Sequence, residues 1–371
     1  MLYWLSQYED GPLRIFKYLT FRSGGAFLTA FLLVILFGPM TVRLLKELRA
    51  VAGDRYKGMA NAQELIDAAK AKTPSMGGIL IVLATLAATL VWAPLNQPLV
   101  WIALAVMVIM ALLGFWDDYA KVAYPGRDGI SGRLRLTVEA LTGSLACLAL
   151  CAIPGVADNM TELHVPFIKD PALKAMSLWM IVFFGALVIT AAANAVNLTD
   201  GLDGLATGCT IICTAVFLLI AYLSGNSKFS AYLGIPFVPG CGEIGVFAAA
   251  MIGACVGFLW YNCHPASMFM GDTGSLALGG SIGLIAVIVR QELLLVIVGG
   301  IFVWEAASVL IQTSYFKFTK RRFGEGRRVF LMAPIHHHYQ KKGWRETQVV
   351  MRFWIIALIL AGIGLATLKI R

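Results

Sequence analysis

The sequence predicts an all-α, polytopic integral membrane protein with ten transmembrane helices, in a single domain over residues 1–371. Of its residues, 59% are apolar and only 14% are charged, which is far from the balance of a soluble protein. The apolar residues gather in blocks of roughly 17 to 22, about the length that a helix needs to cross a bilayer core. Every backbone amide must be paired inside lipid, so these blocks are predicted to be helices. A transmembrane β-barrel would instead need alternating segments of about ten residues, which the sequence lacks.

The ten predicted spans follow one another along the chain, separated by polar loops. They cover residues 25–45, 76–94, 98–116, 134–153, 177–196, 204–223, 244–261, 274–289, 292–316 and 348–368. The Met1–Arg22 segment lacks a signal-peptide layout, because its charges are mixed and no small-residue cleavage site follows a short apolar core. The first span is therefore expected to anchor the chain.

The distribution of Lys and Arg predicts the orientation of the spans. The net charge is +9, and an outside N-terminus places 21 of the 30 Lys and Arg residues on the cytoplasmic side. Both termini are then periplasmic and five loops face the cytoplasm. This placement favours lipid headgroups over nucleic acid as the partner of the positive charge. The five loops are residues 46–75, 117–133, 197–203, 262–273 and 317–347.

Acidic residues concentrate in these loops. Asp117 and Asp118 end the third span, where two adjacent carboxylates repel each other and oppose the helix dipole. Such a pair predicts a compensating cation. A solvated helix end, with Lys121 as counter-ion to one carboxylate, is the simpler alternative. Asp200 and Asp203 lie between the fifth and sixth spans. Because they are three residues apart, they would share one face of a helical turn.

Two further loops carry candidate residues. Asp272 precedes the eighth span, where helix capping is the plain alternative to a functional role. Phe269 would be either a stacking partner for a base or a membrane-interface anchor. The run His336-His337-His338 cannot chelate one zinc ion from a regular helix, because neighbouring side chains point about 100° apart. Phosphate contacts and anionic-lipid contacts both remain open for it.

Together these carboxylates and cations outline a phosphoryl-transfer site. Mg²⁺ prefers hard carboxylate oxygens together with substrate phosphate oxygens, and nearby basic residues such as Lys70 would hold a diphosphate. Positioning and charge neutralisation supply most of the catalysis in such reactions. A secondary transporter is the alternative from another class, because Glu305 and Asn194 lie inside predicted spans. Transporter acids, however, tend to lie near the bilayer midplane, whereas these acids crowd one interface.

Four strings of residues closely resemble bacterial phospho-N-acetylmuramoyl-pentapeptide transferases. They are Asp117-Asp118-Tyr119-Ala120-Lys121, Asn197-Leu198-Thr199-Asp200-Gly201-Leu202-Asp203-Gly204, Phe269-Met270-Gly271-Asp272 and Pro334-Ile335-His336-His337-His338-Tyr339. The likeness runs from about Lys70 to Arg371. The triple-histidine string separates this group from sister polyprenyl-phosphate transferases that carry N-acetylglucosamine phosphate, which are the nearest alternative.

The resemblance implies Mg²⁺-dependent transfer of phospho-MurNAc-pentapeptide from UDP-MurNAc-pentapeptide to undecaprenyl phosphate. The products would be lipid I and UMP, in the first membrane step of peptidoglycan synthesis. It also implies an active site on the cytoplasmic face of the bacterial inner membrane, and a homodimer is compatible with it.

The resemblance also assigns roles to residues. Asp272 would ligate Mg²⁺, Asp117 and Asp118 would lie in the active cleft, and His336 would sit beside the diphosphate. The implied substrate-binding residues are Lys70, Ser75, Lys121, Asn197, Asp200, Gly201, Leu202, Asp203, Asn262, Phe269 and His337. Among them Phe269 would stack on uracil. This chain departs from the family pattern in two places. Ser75 replaces the family's usual Thr, and the preceding stretch, Gly53–Ala71, is atypical and is predicted to form a short amphipathic helix.

Overall fold

The computed structural model describes residues 2–7, 12–48, 72–123 and 129–369. Lys70 and the Gly53–Ala71 stretch lie outside these residues. The described chain is helical, with two 3₁₀ helices, Leu2–Gln7 and Pro12–Lys17, before the α-helices. The α-helices are α1 (Leu19–Glu47), α2 (Gly78–Trp92), α3 (Pro98–Ala123), α4 (Gly132–Cys151), α5 (Ala157–Met160), α6 (Leu178–Thr199), α7 (Leu205–Ser224), α8 (Ser227–Leu233), α9 (Gly242–Asn262), α10 (Gly271–Ile288), α11 (Glu292–Val298), α12 (Gly300–Phe323), α13 (Ile335–Lys341) and α14 (Glu346–Thr367).

The predicted multi-pass membrane character is confirmed by the length and composition of these helices. Among the described residues, eight helices are long and apolar enough to cross a membrane: α1, α3, α4, α6, α7, α9, α10 and α14. The bent pair α11 and α12 would make a ninth. Since α2 has 15 residues, it is shorter than the roughly 20 that usually span a bilayer. A count of ten therefore requires both the bent pair and α2.

The predicted span at residues 292–316 is not one continuous helix. Its two parts, α11 and α12, meet at Gly299 with a bend of 86°. Two successive glycines, Gly299 and Gly300, occupy the break, and glycine both weakens a helix and permits a sharp change of direction. The bend sends α12 away from α11, and most side chains of its second half are exposed.

Helix α10 forms the centre of the bundle, because all of its residues are buried. Small residues bring it close to α6. A Cβ at Gly279 would lie 2.5 Å from the Ala192 carbonyl oxygen, and one at Gly283 would lie 2.8 Å from Ile189 Cα. Such close backbone approach is how small residues stabilise helix pairs in membranes.

The first turn of α10 packs between α2 and α3. A Cβ at Gly78 would lie 2.2 Å from the Gly274 nitrogen, and one at Gly114 would lie 2.2 Å from the Asp272 carbonyl oxygen. The Gly78 amide also donates to the Met270 carbonyl at 2.8 Å. These contacts fix the start of α10 against the end of α3, where the candidate acidic residues lie.

Candidate active site

Two carboxylates from distant parts of the chain face one ammonium group. Lys121 Nζ lies 2.5 Å from Asp117 Oδ2 and 2.6 Å from Asp272 Oδ2. Asp117 Oδ1 also accepts a hydrogen bond from the Ile130 amide at 2.8 Å. Lys121 thus pairs with Asp117, as the simpler interpretation of the sequence predicts, but the carboxylate is buried rather than solvated. The same ammonium also brings in Asp272 from another loop, so the predicted cluster forms.

The adjacent carboxylate of Asp118 faces elsewhere. Asp118 Oδ2 accepts hydrogen bonds from both the amide and the hydroxyl of Thr273, each at 3.0 Å. The first-turn amides of a helix attract negative charge, and the side chain of Asp118 is buried. Asp118 therefore holds the start of α10 in place, while Asp117 faces the ammonium.

The other oxygen of Asp272 is held by an amide. Asn197 Nδ2 donates to Asp272 Oδ1 at 2.9 Å and to Ser275 Oγ at 2.8 Å. Since Asn197 lies near the end of α6, this contact joins a third helix to the cluster. Both oxygens of the Asp272 carboxylate are thus oriented by neighbouring side chains.

Arg135 also belongs to this cluster, although it is not among the site residues predicted from the sequence. Its guanidinium donates to Asn197 Oδ1 at 2.9 Å and to Glu139 Oε1 at 3.1 Å, and its Nη1 lies 3.9 Å from Asp272 Oδ2. Glu139 is fully buried and also accepts a hydrogen bond from Asn194. A signal was present, because charged residues four apart within a predicted membrane span are costly unless they are paired.

We expect Glu139→Leu to lower the rate of the reaction about tenfold, because Arg135 loses a hydrogen-bond acceptor and is then held less firmly against Asn197. Glu139→Gln keeps a carbonyl oxygen for the guanidinium and should lose much less. Comparing kcat and the thermal midpoint of both purified variants tests this. Equal loss in the two variants would contradict a positioning role for the carboxylate.

A cavity of about 560 Å³ opens beside the cluster. It is lined by Asp117, Lys121, Arg135 and the Gly129–Gly132 segment. Gly129 has a φ of +80°, and a Cβ there would lie 2.3 Å from Asp117 Oδ1, so the segment approaches the carboxylate only because it begins with glycine. Two cations beside two carboxylates can hold a phosphate group and orient it.

The carboxylate oxygens also fit a divalent metal ion. Asp117 Oδ2 and Asp272 Oδ2 converge on a single cation, and Mg²⁺ favours one or two such carboxylates together with phosphate oxygens. Lys121 is long and flexible, so its ammonium can withdraw towards the cavity when another cation binds. Asp117 and Asp272 are the residues that could hold the ion.

A second group of ionisable residues surrounds Asp203. Asp203 Oδ2 lies 3.0 Å from His264 Nδ1 and accepts from the Ala266 amide at 3.2 Å. Its own amide donates to Glu346 Oε1 at 2.9 Å. One ligand atom from each of Asp203, His264 and Glu346 lies within 4.8 Å of the others, the one such group of possible metal ligands among the described residues. No motif in the sequence links Glu346 to this group.

Asn262 is engaged with the backbone around Asp203. Its Oδ1 accepts from the Gly204 amide at 3.1 Å and from the Thr207 hydroxyl at 2.8 Å, and its Nδ2 donates to the Met268 carbonyl at 3.0 Å. The side chain is buried. In this structure Asn262 fastens the loop before α10 to the start of α7.

The predicted residues Ser75 and Phe269 lie on two paired loops. The Phe269 amide donates to the Pro74 carbonyl, and the Gly77 amide donates to the Phe269 carbonyl, both at 2.8 Å. Ser75 is buried between these contacts, whereas the Phe269 ring is half-buried. The ring is therefore accessible enough to meet a ligand.

His336 lies beneath the loop that joins α6 and α7. Its Nδ1 lies 3.0 Å from Glu305 Oε2, and both side chains are fully buried. A Cβ on Gly201 would lie 2.3 Å from His336 Nε2, so only glycine fits there. Beside Gly201, Leu202 is buried and Asp200 is half-buried. Gly201, within the predicted segment 200–203, thus lies directly against the predicted histidine.

The next two histidines have different partners. His337 Nδ1 lies 2.8 Å from Gln340 Oε1, while His338 Nδ1 accepts a hydrogen bond from the Leu331 amide at 3.1 Å. Burial and the nearby Lys342 ammonium lower the pKa of His338, so the ring is neutral, as this acceptor role requires. The three histidines thus have separate partners: Glu305, Gln340 and the Leu331 amide.

Comparisons with known proteins identify a family and close relatives for this chain. The profile of Glycosyl transferase family 4 matches residues 100–290, and the Phospho-N-acetylmuramoyl-pentapeptide-transferase signature 1 matches residues 70–82. A phospho-N-acetylmuramoyl-pentapeptide-transferase from Methylacidiphilum infernorum (isolate V4) is 45% identical over 374 residues, covering 100% of both chains. One from Rhodopseudomonas palustris (strain BisA53) is 48% identical over 374 residues, again covering 100% of both.

Proposed function

The chain belongs to the phospho-N-acetylmuramoyl-pentapeptide-transferase family, and on this premise we propose that it transfers phospho-MurNAc-pentapeptide from UDP-MurNAc-pentapeptide to undecaprenyl phosphate. The products are lipid I and UMP, in peptidoglycan synthesis. The observation that supports this most directly is the convergence of Asp117 and Asp272 on Lys121. The adjoining cavity also presents Arg135 and can receive a phosphate.

The proposed reaction is a direct displacement. An oxygen of the acceptor phosphate forms a bond to the β-phosphorus of the nucleotide, and the bond from that phosphorus to the bridging oxygen breaks, releasing UMP. Asp117 orients the acceptor and takes its proton if it arrives protonated. Lys121 and Arg135 hold phosphate oxygens in the cavity, while Asn197 keeps the Asp272 carboxylate oriented.

We assign Mg²⁺ to Asp272, with Asp117 as a second carboxylate, on the strength of the converging oxygens. When bound, the ion supplies neutralisation of the diphosphate charge. Asp118 supports the site by holding the start of α10, and therefore Asp272, in position.

The nucleotide is proposed to bind next to the metal-binding residues, where the predicted residues of four loops meet. Phe269 would stack on the base, His336 would lie by the diphosphate and His337 would lie near the uridine. This assignment is supported by the half-buried Phe269 ring and by the contact of Gly201 with His336. The remaining nucleotide-side residues are Lys70, Ser75, Asp200, Leu202, Asp203 and Asn262.

The proposed orientation places this site on the cytoplasmic face of the inner membrane, with ten spans, both termini periplasmic and five cytoplasmic loops. Contacts between helix ends support this orientation. The end of α3 and the end of α6 both contact the start of α10, and the loop after α6 contacts the start of α14. All four helix ends belong to the side that holds most of the Lys and Arg residues. A homodimer is compatible with this arrangement.

The intramembrane polar residues that suggest a transporter have partners in this structure. Glu305 pairs with His336, and Asn194 donates to Glu139 and to the Thr190 carbonyl. These contacts connect both residues to the proposed active site, so they support the transferase over a transport pathway.

UMP release tests the proposed function. The purified full-length protein should release UMP from UDP-MurNAc-pentapeptide only when undecaprenyl phosphate and Mg²⁺ are both present. EDTA should abolish release, and added Mg²⁺ should restore it. UDP-N-acetylglucosamine should not substitute as donor. If the parent protein releases no UMP under these conditions, the proposal fails.

Isotope exchange separates direct displacement from a covalent aspartyl-phosphate route. With undecaprenyl phosphate absent, we expect no incorporation of labelled UMP into UDP-MurNAc-pentapeptide, because the direct route has no intermediate to reverse. Addition of the acceptor should start the exchange. Exchange without any acceptor would establish the two-step route instead.

A further inference from the structure

A second cavity, of about 500 Å³, shares no lining residue with the cavity beside Asp117. It is formed mainly by residues 309–333, here named the α12 arm, which comprise the second half of α12 and the loop after it. Its lining includes the cations Lys317, Arg328 and Lys341 and the apolar side chains of Val309, Phe316 and Leu331. None of the lining residues is acidic or belongs to the Asp117 cluster.

The loop side of this cavity is held by specific hydrogen bonds. Gln312 Oε1 accepts from the amides of Val329 and Phe330 at 3.1 and 2.9 Å. The Arg327 amide donates to Thr319 Oγ1 at 2.8 Å. These contacts keep the loop against α12, so Arg328 and Leu331 stay on the wall that faces Lys317.

The surroundings of the cavity are both apolar and strongly basic. Leu310 is 66% exposed and Phe318 is 62% exposed, so large apolar side chains of the arm have no protein cover. The arm carries six Lys or Arg residues against one Glu. Within the described part of the chain, neither Lys317 nor Arg328 forms an ion pair with an acid. Exposed apolar groups beside clustered cations are typical of a surface that contacts anionic lipid.

We propose that this cavity binds an anionic glycerophospholipid, with its phosphate held by Lys317, Arg328 and Lys341 and one acyl chain lying along Val309, Phe316 and Leu331. Undecaprenyl phosphate offers a similar chemistry, a phosphate joined to an apolar chain. Its phosphate must reach Asp117, however, and the residues that would receive it line the other cavity. A membrane lipid therefore fits this site better.

Lipid selectivity tests the proposal without turnover. The full-length protein, in phosphatidylcholine nanodiscs with a small fraction of phosphatidylglycerol, is compared with Lys317→Gln/Arg328→Gln. The parent should prefer phosphatidylglycerol, and the double variant should lose about fivefold in this preference for each cation removed. The matched control is Lys320→Gln/Arg321→Gln, which removes the same charge from exposed positions of α12 outside the cavity, and it should keep most of the preference.

Crosslinking places the lipid. Phosphatidylglycerol with a photoreactive acyl chain should label residues 327–333 in the parent and in the control, but not in the double variant. Equal loss of selectivity in the control, or labelling confined to other segments, would overturn the proposal. Two competition results would also overturn the proposal. Displacement of the label by stoichiometric undecaprenyl phosphate would show that the cavity binds the acceptor lipid, and displacement by inorganic phosphate would show a simple anion site.

Discussion

Replacing Asp272 by asparagine is expected to lower the rate of UMP release roughly 10³-fold, the size of effect found when one preorganised electrostatic group is removed from an active site. The substitution keeps the shape of the side chain and removes its charge. Lys121 and Arg135 then lose the anion that they share, and Mg²⁺ loses its proposed ligand. Steady-state kinetics with varied Mg²⁺ should show that saturating metal does not restore the rate.

The control for this experiment is Asp170→Asn, the same chemical change at an exposed position in a loop remote from the cluster. It should retain the parent rate. The thermal midpoint of Asp272→Asn should remain close to that of the parent, because Asn197 and Ser275 still find a polar partner. A rate within tenfold of the parent would remove Asp272 from the proposed metal site.

Gly114→Ala should have the next largest effect, although it adds only a single uncharged methyl group. The new Cβ would lie 2.2 Å from the Asp272 carbonyl oxygen and 2.5 Å from its carbonyl carbon. Because these are backbone atoms, the start of α10 must move by about 1 Å, and a displacement of that size can cost about 10²-fold in rate. Overpacking should also lower the free energy of unfolding by about 1 to 3 kcal/mol.

Gly24→Ala is the matched control, because a Cβ at Gly24 in α1 meets no atom within 4 Å. UMP release and the thermal midpoint are compared for the two variants. We expect Gly24→Ala to match the parent in both. A Gly114→Ala protein with the parent's rate would show that the contact between α3 and α10 can relax without moving Asp272.

Local patterns were sufficient to predict a multi-pass helical membrane protein and most of its long apolar helices. The separation of Asp117 and Asp118 also follows from helix geometry, since adjacent side chains point about 100° apart. Asp117 lies four residues before Lys121 in α3, so helix geometry also favours this ion pair. The partner of Asp118 and the approach of Asp272 depend on α10, whose position is set by glycine contacts that a single sequence does not reveal. The break at Gly299 had a visible signal in its pair of glycines, but the apolar character of both flanks concealed it.

The contributions of Arg135 and Glu346 depend on tertiary contacts. Arg135 reaches Asn197 across 62 positions of sequence, and Glu346 meets Asp203 across 143. No periodic pattern links residues so far apart. Charged residues near the ends of predicted spans indicate orientation, but their number does not distinguish a topological charge from one that enters the site.

The complete burial of α10 has a consequence for how the protein is made. This helix is the least apolar of the eight candidate spans, so it gains less than the others from entering lipid alone. Its immediate neighbours α3 and α6 precede it in the chain. During biosynthesis α10 can therefore leave the translocon into a groove already formed by protein, and Asp272 arrives at Asp117 and Asn197 only when that groove exists. Premature release of α10 into the bilayer would leave a chain that is inserted but inactive, so catalytic competence reports on correct biogenesis of the whole bundle.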